Sequence, residues 1–282
     1  MILNENMNKK TDEAWSRLHN RLKQDGLLTA EPKRRAISPA FTWSVAVFAA
    51  LCVCISVFYI SQKTNTITED LLTLQNDQES GTLVKTLNDG SVVYLNTQTS
   101  LQYPKAFKES KREVFLQGDA FFDIAGNPGH PFVIDTRLVQ IEVLGTAFNV
   151  KCNEPDNFSL SVLHGLVRIT MKDSQQSFLI SQGQTAEIDY LQQPKISQTE
   201  DINLFSKYTK QMHFKDEILS NIVKVINANS EDSVLLKIAP EIANRSLTVT
   251  FDNESSAIMA QLISMTLGLQ YKQEQNVITL SK

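Results

Sequence analysis

Cysteine is nearly absent: three residues in a chain of 282 exclude a disulfide scaffold. Cys52 and Cys54 stand two apart inside an apolar run, and Cys152 has no partner in sequence. Ten glycines and eight prolines are too few for a collagen-like or low-complexity chain. Positive charge is not in excess either. With 27 Lys and Arg against 31 Asp and Glu, the net charge is −4, so there is no global footprint for a polyanion and direct nucleic-acid binding is not expected. The four histidines, His19, His130, His164 and His213, are scattered without His-x-x-x-His or Cys-x-x-Cys spacing, so no metal ligand set is expected. Gly-rich phosphate loops, a Gly-x-Ser-x-Gly elbow and kinase motifs are missing as well. Asp119 and Asp123 flank Phe121 and Phe122, but simple strand alternation puts those acids on one face without any catalytic role. No enzyme activity, cofactor or catalytic residue is expected.

One long hydrophobic run is present. No charged residue lies between Ala36 and Gln62, and Phe41 to Ile60 reads FTWSVAVFAALCVCISVFYI. Twenty such residues span the roughly 30 Å hydrocarbon core of a bilayer, with Trp43 and Tyr59 near its two interfaces. Lys33, Arg34 and Arg35 precede the run, whereas Lys63, Glu69 and Asp70 follow it, which places the N-terminus in the cytoplasm. The expectation is a single-pass inner-membrane protein of type II with most of its chain periplasmic. Its parts are a cytoplasmic head (1–40), a transmembrane helix (41–60), a tether (61–80), an all-β domain (81–195) and a small α+β domain (205–282). In the head, Trp15, Leu18 and Leu22 share one face of a helix predicted over Asp12 to Leu22, with Thr11 as N-cap and Asp25-Gly26 as its end. A helix this short is marginal alone, so its apolar stripe is expected to dock on a partner protein, the alternative being a membrane-surface helix with Arg17, Arg21 and Lys23 toward the lipid headgroups.

From Gly81 to about Tyr190 the hydrophobic period is two, as in Val139-Gln140-Ile141-Glu142-Val143, and turn signals such as Asn88-Asp89-Gly90-Ser91 recur. About ten short strands are expected, arranged as a sandwich or a solenoid-like stack. Beyond Asp201 the pattern becomes strand, helix, two strands, helix, two strands, with Asn253 or Ser255 capping the second helix and Gly268 ending it. That order describes a compact α+β module in which each helix covers one side of a small sheet.

The run LNDGSVVYLNTQTSLQYPKAF, followed by REVFLQGDAFFDIA, HPFVIDT, IEVLGTAFNV and LSVLHGLVRI, resembles the periplasmic domain of FecR-type anti-sigma factors of the Bacteroidetes kind. EAWSRLHNRLKQDGLL is similar to the cytoplasmic head of that group. LTVTFDNESSAIMAQLISMTLGLQY is similar to its C-terminal module, which itself is similar to the short N-terminal domain of secretins and TonB-dependent receptors. The head is shorter than the sigma-binding domain of proteobacterial members. The resemblance implies a regulator whose head binds an extracytoplasmic-function (ECF) RNA polymerase sigma factor. It also implies that the periplasmic part receives a signal from a TonB-dependent outer-membrane transducer, and that membrane proteases relay it. Trp15, Leu18 and Leu22 are the expected sigma-binding residues. The strands holding Leu247, Val249 and Phe251, or Val277 and Ile278, are the expected transducer-binding edges, by addition of a partner strand. The alternative is an anchored envelope protein that binds a ligand or glycan in a groove lined by Tyr94, Phe115, Phe121 and Phe122.

Overall fold

A computed structural model describes residues 2–26, 71–78, 81–108, 110–154, 157–189 and 194–282, which belong to two units, 1–67 and 68–282. The apolar run 41–60 lies outside the described residues. Among the described residues no helix is long and apolar enough to cross a membrane.

The described part of the first unit is one helix, α1 (Ile2–Gln24). It begins well before the expected start, so Thr11 lies inside it and does not cap it. Its end is as read: Asp25 N–H reaches Arg21 C=O, and Gly26 takes a positive φ of 69° that a side chain would strain.

The second unit starts with a departure. Leu71, Leu72 and Leu74, expected within a tether, belong to a strand, β1 (Leu71–Asn76), because Leu74 packs on the β core and buried Asn76 donates to the carbonyls of Gly81 and Leu95. In spatial order a seven-stranded sheet holds β1, β4 (Thr99–Pro104), β5 (Arg112–Gln117), β7 (Phe132–Asp135), β8 (Val139–Val143), β11 (Leu166–Met171) and β12 (Ser177–Ser181). A nine-stranded sheet runs through β14 (Pro194–Gln198), β13 (Gln184–Ile188), β10 (Phe158–His164), β9 (Ala147–Lys151), β6 (Asp119–Asp123), β3 (Val92–Leu95) and β2 (Thr82–Thr86). It continues into β15 (Gln211–Ile218) and β17 (Ser246–Asp252). A third sheet has the order β16 (Leu235–Ile238), β19 (Val277–Ser281), β18 (Gln270–Glu274). From β2 to β14 the chain changes sheets after every one or two strands, so the two large sheets pack face to face as a sandwich with solenoid-like winding.

The expected element order of the C-terminal module is present, with helices α2 (Lys207–Lys210), α3 (Leu219–Asn229) and α4 (Ser256–Leu267). Ser255 caps α4, and Gly268 closes it in the left-handed conformation. The single small sheet expected there is not found. β15 pairs parallel with β2 through Met212↔Thr82, His213↔Leu83 and Phe214↔Val84, and β17 pairs with β15, so these strands extend the large sheet, leaving β16, β19 and β18 as a separate one. The segments 81–195 and 205–282 therefore share a sheet and a compact unit.

Two hydrophobic cores result. Leu95, Leu101, Phe122, Phe132, Phe148 and Leu160 fill the space between the large sheets. On the other side of the nine-stranded sheet, Val84, Val92, Tyr94 and Phe121 meet Tyr208, Phe214, Ile222, Phe251 and Ile263 from the C-terminal segment. The middle strands are thus covered on both faces, and all four residues of β3 are buried.

Backbone fit is tightest at Gly118, between β5 and β6. Its φ is 128°, and a Cβ there would lie 2.4 Å from Thr99 Oγ1 and 2.7 Å from Thr99 Cα. Gly118→Ala is expected to destabilise the second unit by ~3 kcal/mol, since both the strained backbone and the collision with main-chain atoms must be relieved. Urea denaturation of wild type and variant checks this, and an unchanged midpoint would show that the strand can shift at little cost.

Candidate interaction surfaces

The head presents a bare helix. Trp15 is 66% exposed and Leu18 48%, Leu22 is half-buried, and the other described side chains from Asp12 to Gly26 are exposed. Helical spacing puts Trp15, Leu18 and Leu22 together on one face, with Arg17, Arg21 and Lys23 nearby on the surface. The Glu13–Arg17 pair, 3.9 Å apart and exposed at both ends, adds little stability.

In the second unit, polar contacts concentrate where the C-terminal segment meets the β sheets. Asp119 is buried at the start of β6, where its N–H donates to Thr99 Oγ1 at 2.9 Å. Its Oδ1 accepts from Tyr208 O–H on α2 and from Asn149 Nδ2 at 3.0 Å, and its Oδ2 accepts from Asn96 Nδ2 and Lys207 Nζ, both at 3.2 Å. Asn149 Nδ2 also donates to the Tyr208 oxygen. Packed beside this network are Tyr94, Phe121, Phe205 and Tyr208, with Phe121 stacked on Tyr208 at 5.8 Å and tilted against Tyr94 at 5.5 Å between ring centres. Further ties are Asn229 Nδ2 to the Tyr94 phenol oxygen at 2.9 Å, Lys224 Nζ to Gly90 C=O at 2.9 Å, and Lys85 Nζ to buried Glu217 at 2.8 Å. Glu217 follows Asp216, which takes a φ of 48° at a bulge in β15, and this kink turns the carboxylate toward Lys85 and Asn221 just before α3.

Asp119 is therefore an internal hydrogen-bond acceptor, and its strand partner Asp123 is exposed. The same geometry removes the aromatic groove. Tyr94, Phe121 and Phe122 are core residues, and of the four aromatics only Phe115 is exposed. Among the described residues no group of three or more His, Cys, Asp or Glu side chains converges on a point.

The expected transducer-binding strands differ from each other. β17 is an edge of the nine-stranded sheet. Asn253 N–H donates to Lys210 C=O and Leu219 N–H to Arg245 C=O, so the odd-numbered residues of β17 bond to β15, and the main-chain groups of Thr248 and Thr250 face the open side. The side chains of Leu247 and Phe251 are buried and Val249 is half-buried, so β17 offers backbone and not apolar anchors. β19 is no edge at all. It lies between β16 and β18, with Ile278 fully buried and Val277 half-buried, because the last hairpin folds outside the parallel β16–β19 pair. Val277 and Ile278 therefore cannot receive a partner strand. Sequence alone marks Asp119 only as one of two acids expected on one strand face, and it does not mark Asn149 or Tyr208. The continuous apolar stretches VVYL and AFF, which mark strands buried on both faces, were the available signal.

Residues 78–168 match the family model described as FecR protein. Two crystal structures of a candidate anti-sigma factor from Parabacteroides distasonis ATCC 8503 align with 75% of this chain and 99% of theirs, at 24% sequence identity and a TM-score of 0.46 in both cases. No curated protein matches the chain.

Two outcomes follow from the junction. Asp119→Ala leaves Tyr208 O–H short of its buried acceptor, whereas Asn149 Nδ2 keeps the Ala120 carbonyl at 3.1 Å, and is expected to cost ~2 kcal/mol, against ~1 kcal/mol for Tyr208→Phe, as read from urea midpoints. Alkaline pH is the second lever. Burial pushes the Tyr94 phenol up to about 12, with the Asn229 hydrogen bond opposing it and Asp123 adding to it. Burial, followed by the charge of Asp119, pushes Tyr208 up as well. Both groups favour the proton in the folded state, so their contribution is whole below pH ~10 and is lost as pH rises toward 12, about 3 kcal/mol for Tyr94. Tyr94→Phe should flatten this alkaline loss in stability measured from pH 8 to 12.

Proposed function

We propose that this chain is a transmembrane sigma regulator and not an enzyme. The match of residues 78–168 to the FecR protein family model is the observation that carries the reading. In it, Phe41 to Ile60 spans the inner membrane with the N-terminus in the cytoplasm, and residues 61–282 are periplasmic. Helix α1 binds an ECF sigma factor through Trp15, Leu18 and Leu22. The exposure of this stripe supports that role, since a solvent-facing Trp with two leucines at helical spacing is the kind of anchor that dominates protein interfaces. The periplasmic unit receives its signal from the signalling domain of a TonB-dependent outer-membrane transducer. Small residues in the span, Ala46, Ala49 and Ala50 among them, suit release of the head by intramembrane proteolysis after a periplasmic cut. The competing envelope-binding role loses its groove, since three of the four aromatics that would line it are buried.

The test is co-purification of the full-length chain with the cell's ECF sigma factors. The wild type should retain one of them, and Trp15→Ala should weaken it by about 30-fold, the effect of losing one interface hot spot of about 2 kcal/mol. Retention of no sigma factor by a soluble, detergent-purified wild type would sink the reading. Induced cells should also contain a membrane-free N-terminal fragment detectable by an N-terminal tag, and its absence would remove the proteolytic relay.

A further inference from the structure

The head is basic in a chain that is acidic overall. Residues 1–40 hold eight Lys and Arg against five Asp and Glu, a net charge of +3, while the whole chain carries −4. On α1 the bases are ordered around the apolar stripe. At 3.6 residues per turn Trp15, Leu18 and Leu22 fall within about 60° of the helix circumference, and Arg21 and Lys23 stand about 100° to either side of its centre. Glu13 and Arg17, paired with each other, lie toward the opposite side. Asp12 is the acid nearest the stripe, and it stands at the end away from Arg21 and Lys23. An apolar wedge with a base on each shoulder is what a helix lying in the plane of an anionic bilayer presents, since long basic side chains reach the headgroups while Trp and Leu sink below them. A groove on a protein uses the same apolar stripe, and the two bases add a preference for lipid.

Such a surface is within reach. Residues 27–40, fourteen in number, separate Gly26 from the apolar run, and Lys33, Arg34 and Arg35 are among them. Fourteen residues extend at most ~50 Å, so a helix anchored in this way stays beside the membrane and binds it intramolecularly. The cytoplasmic leaflet is anionic and attracts basic segments next to a span. Three large apolar side chains give weak affinity for lipid by themselves, and the anchor raises their occupancy without making it irreversible.

We propose that, without a sigma factor, α1 lies on the anionic cytoplasmic surface of its own membrane, with Trp15, Leu18 and Leu22 below the headgroups and Arg21 and Lys23 among them, so that lipid and sigma factor compete for one helix face. The proposal rests on the membrane-span and sigma-binding readings above. It makes the anchored head a weaker sigma trap than a head cut free of the span, because the cut removes the tethered competitor.

The experiment places the full-length chain in lipid nanodiscs with brominated acyl chains, either neutral phosphatidylcholine or the same lipid with about 30% anionic phosphatidylglycerol. The chain has two tryptophans, so Trp43→Phe leaves Trp15 as the single reporter. Without sigma factor, bromine should quench Trp15 emission by about half in anionic discs and only slightly in neutral ones, and salt at about 0.5 M should relieve it. The ECF sigma factor that the chain retains should also relieve it, and should bind about 5-fold more weakly in anionic than in neutral discs. Arg21→Glu combined with Lys23→Glu, both at exposed positions, should abolish the quenching and the difference between the discs. Trp15 left unquenched in anionic discs while sigma still binds would overturn the proposal and leave the sigma reading standing. Quenching together with equal sigma affinity in the two discs would overturn the competition. Binding of no sigma factor in either disc would overturn the sigma reading, and the competition with it.

Discussion

Three residue pairs of parallel β structure, Met212–Phe214 against Thr82–Val84, hold the second unit together. They join segments about 130 residues apart in sequence, a closure whose entropy cost must be met by what it buries. What it buries is the second face of the nine-stranded sheet. Without the C-terminal segment, Val84, Val92, Tyr94 and Phe121 would form an apolar patch in water, and with it they lie inside a core. The module is thus the cover of the β sheets and not a bead attached to them by a linker.

That arrangement explains why the polar contacts of the junction are so dense. A two-sided sheet has little room for unmatched polar groups, and the Asp119 carboxylate is acceptable there because Tyr208, Asn149, Asn96 and Lys207 surround it with donors. The same donors fix where α2 sits and so where β15 begins. Gly118, just before Asp119, leaves space for Thr99 to hydrogen-bond the Asp119 backbone from β4's end. Charge, aromatic stacking and strand register all act on one spot.

For the proposed signalling role, residues 68–282 form one compact unit. A ligand that favours one packing of α4 against the three-stranded sheet acts on the core that joins the C-terminal segment to the nine-stranded sheet, since Ile263 and Tyr94 belong to one cluster. Helix α1, in contrast, has an apolar stripe exposed to solvent.

Much was legible in sequence because it rests on local chemistry. The C-terminal order of strands and helices followed from period changes, the ends of α4 from Ser255 and Gly268, and the first hairpin from Asn88-Asp89-Gly90-Ser91, where Asp89 accepts from Ser91 N–H and Gly90 has a φ of 83°. The head stripe was readable in the same way, although the length of α1 was not, since Asn and Lys residues in its first half give no apolar period. Pairing between distant segments has no local signature. That β1 is a strand and not tether depends on a vacant place beside β4. That β19 is central and β17 an edge depends on which strand the final hairpin folds against, and that Asp119 is buried depends on Tyr208 arriving from 89 residues away. Sequence by itself determined the elements, their caps and the exposed face of the head, because propensity, capping and periodicity act within a few residues. Only the tertiary structure decided which strands stayed open, which acids became internal and which helix face was left uncovered, because those follow from how distant apolar faces divide the available burial among themselves.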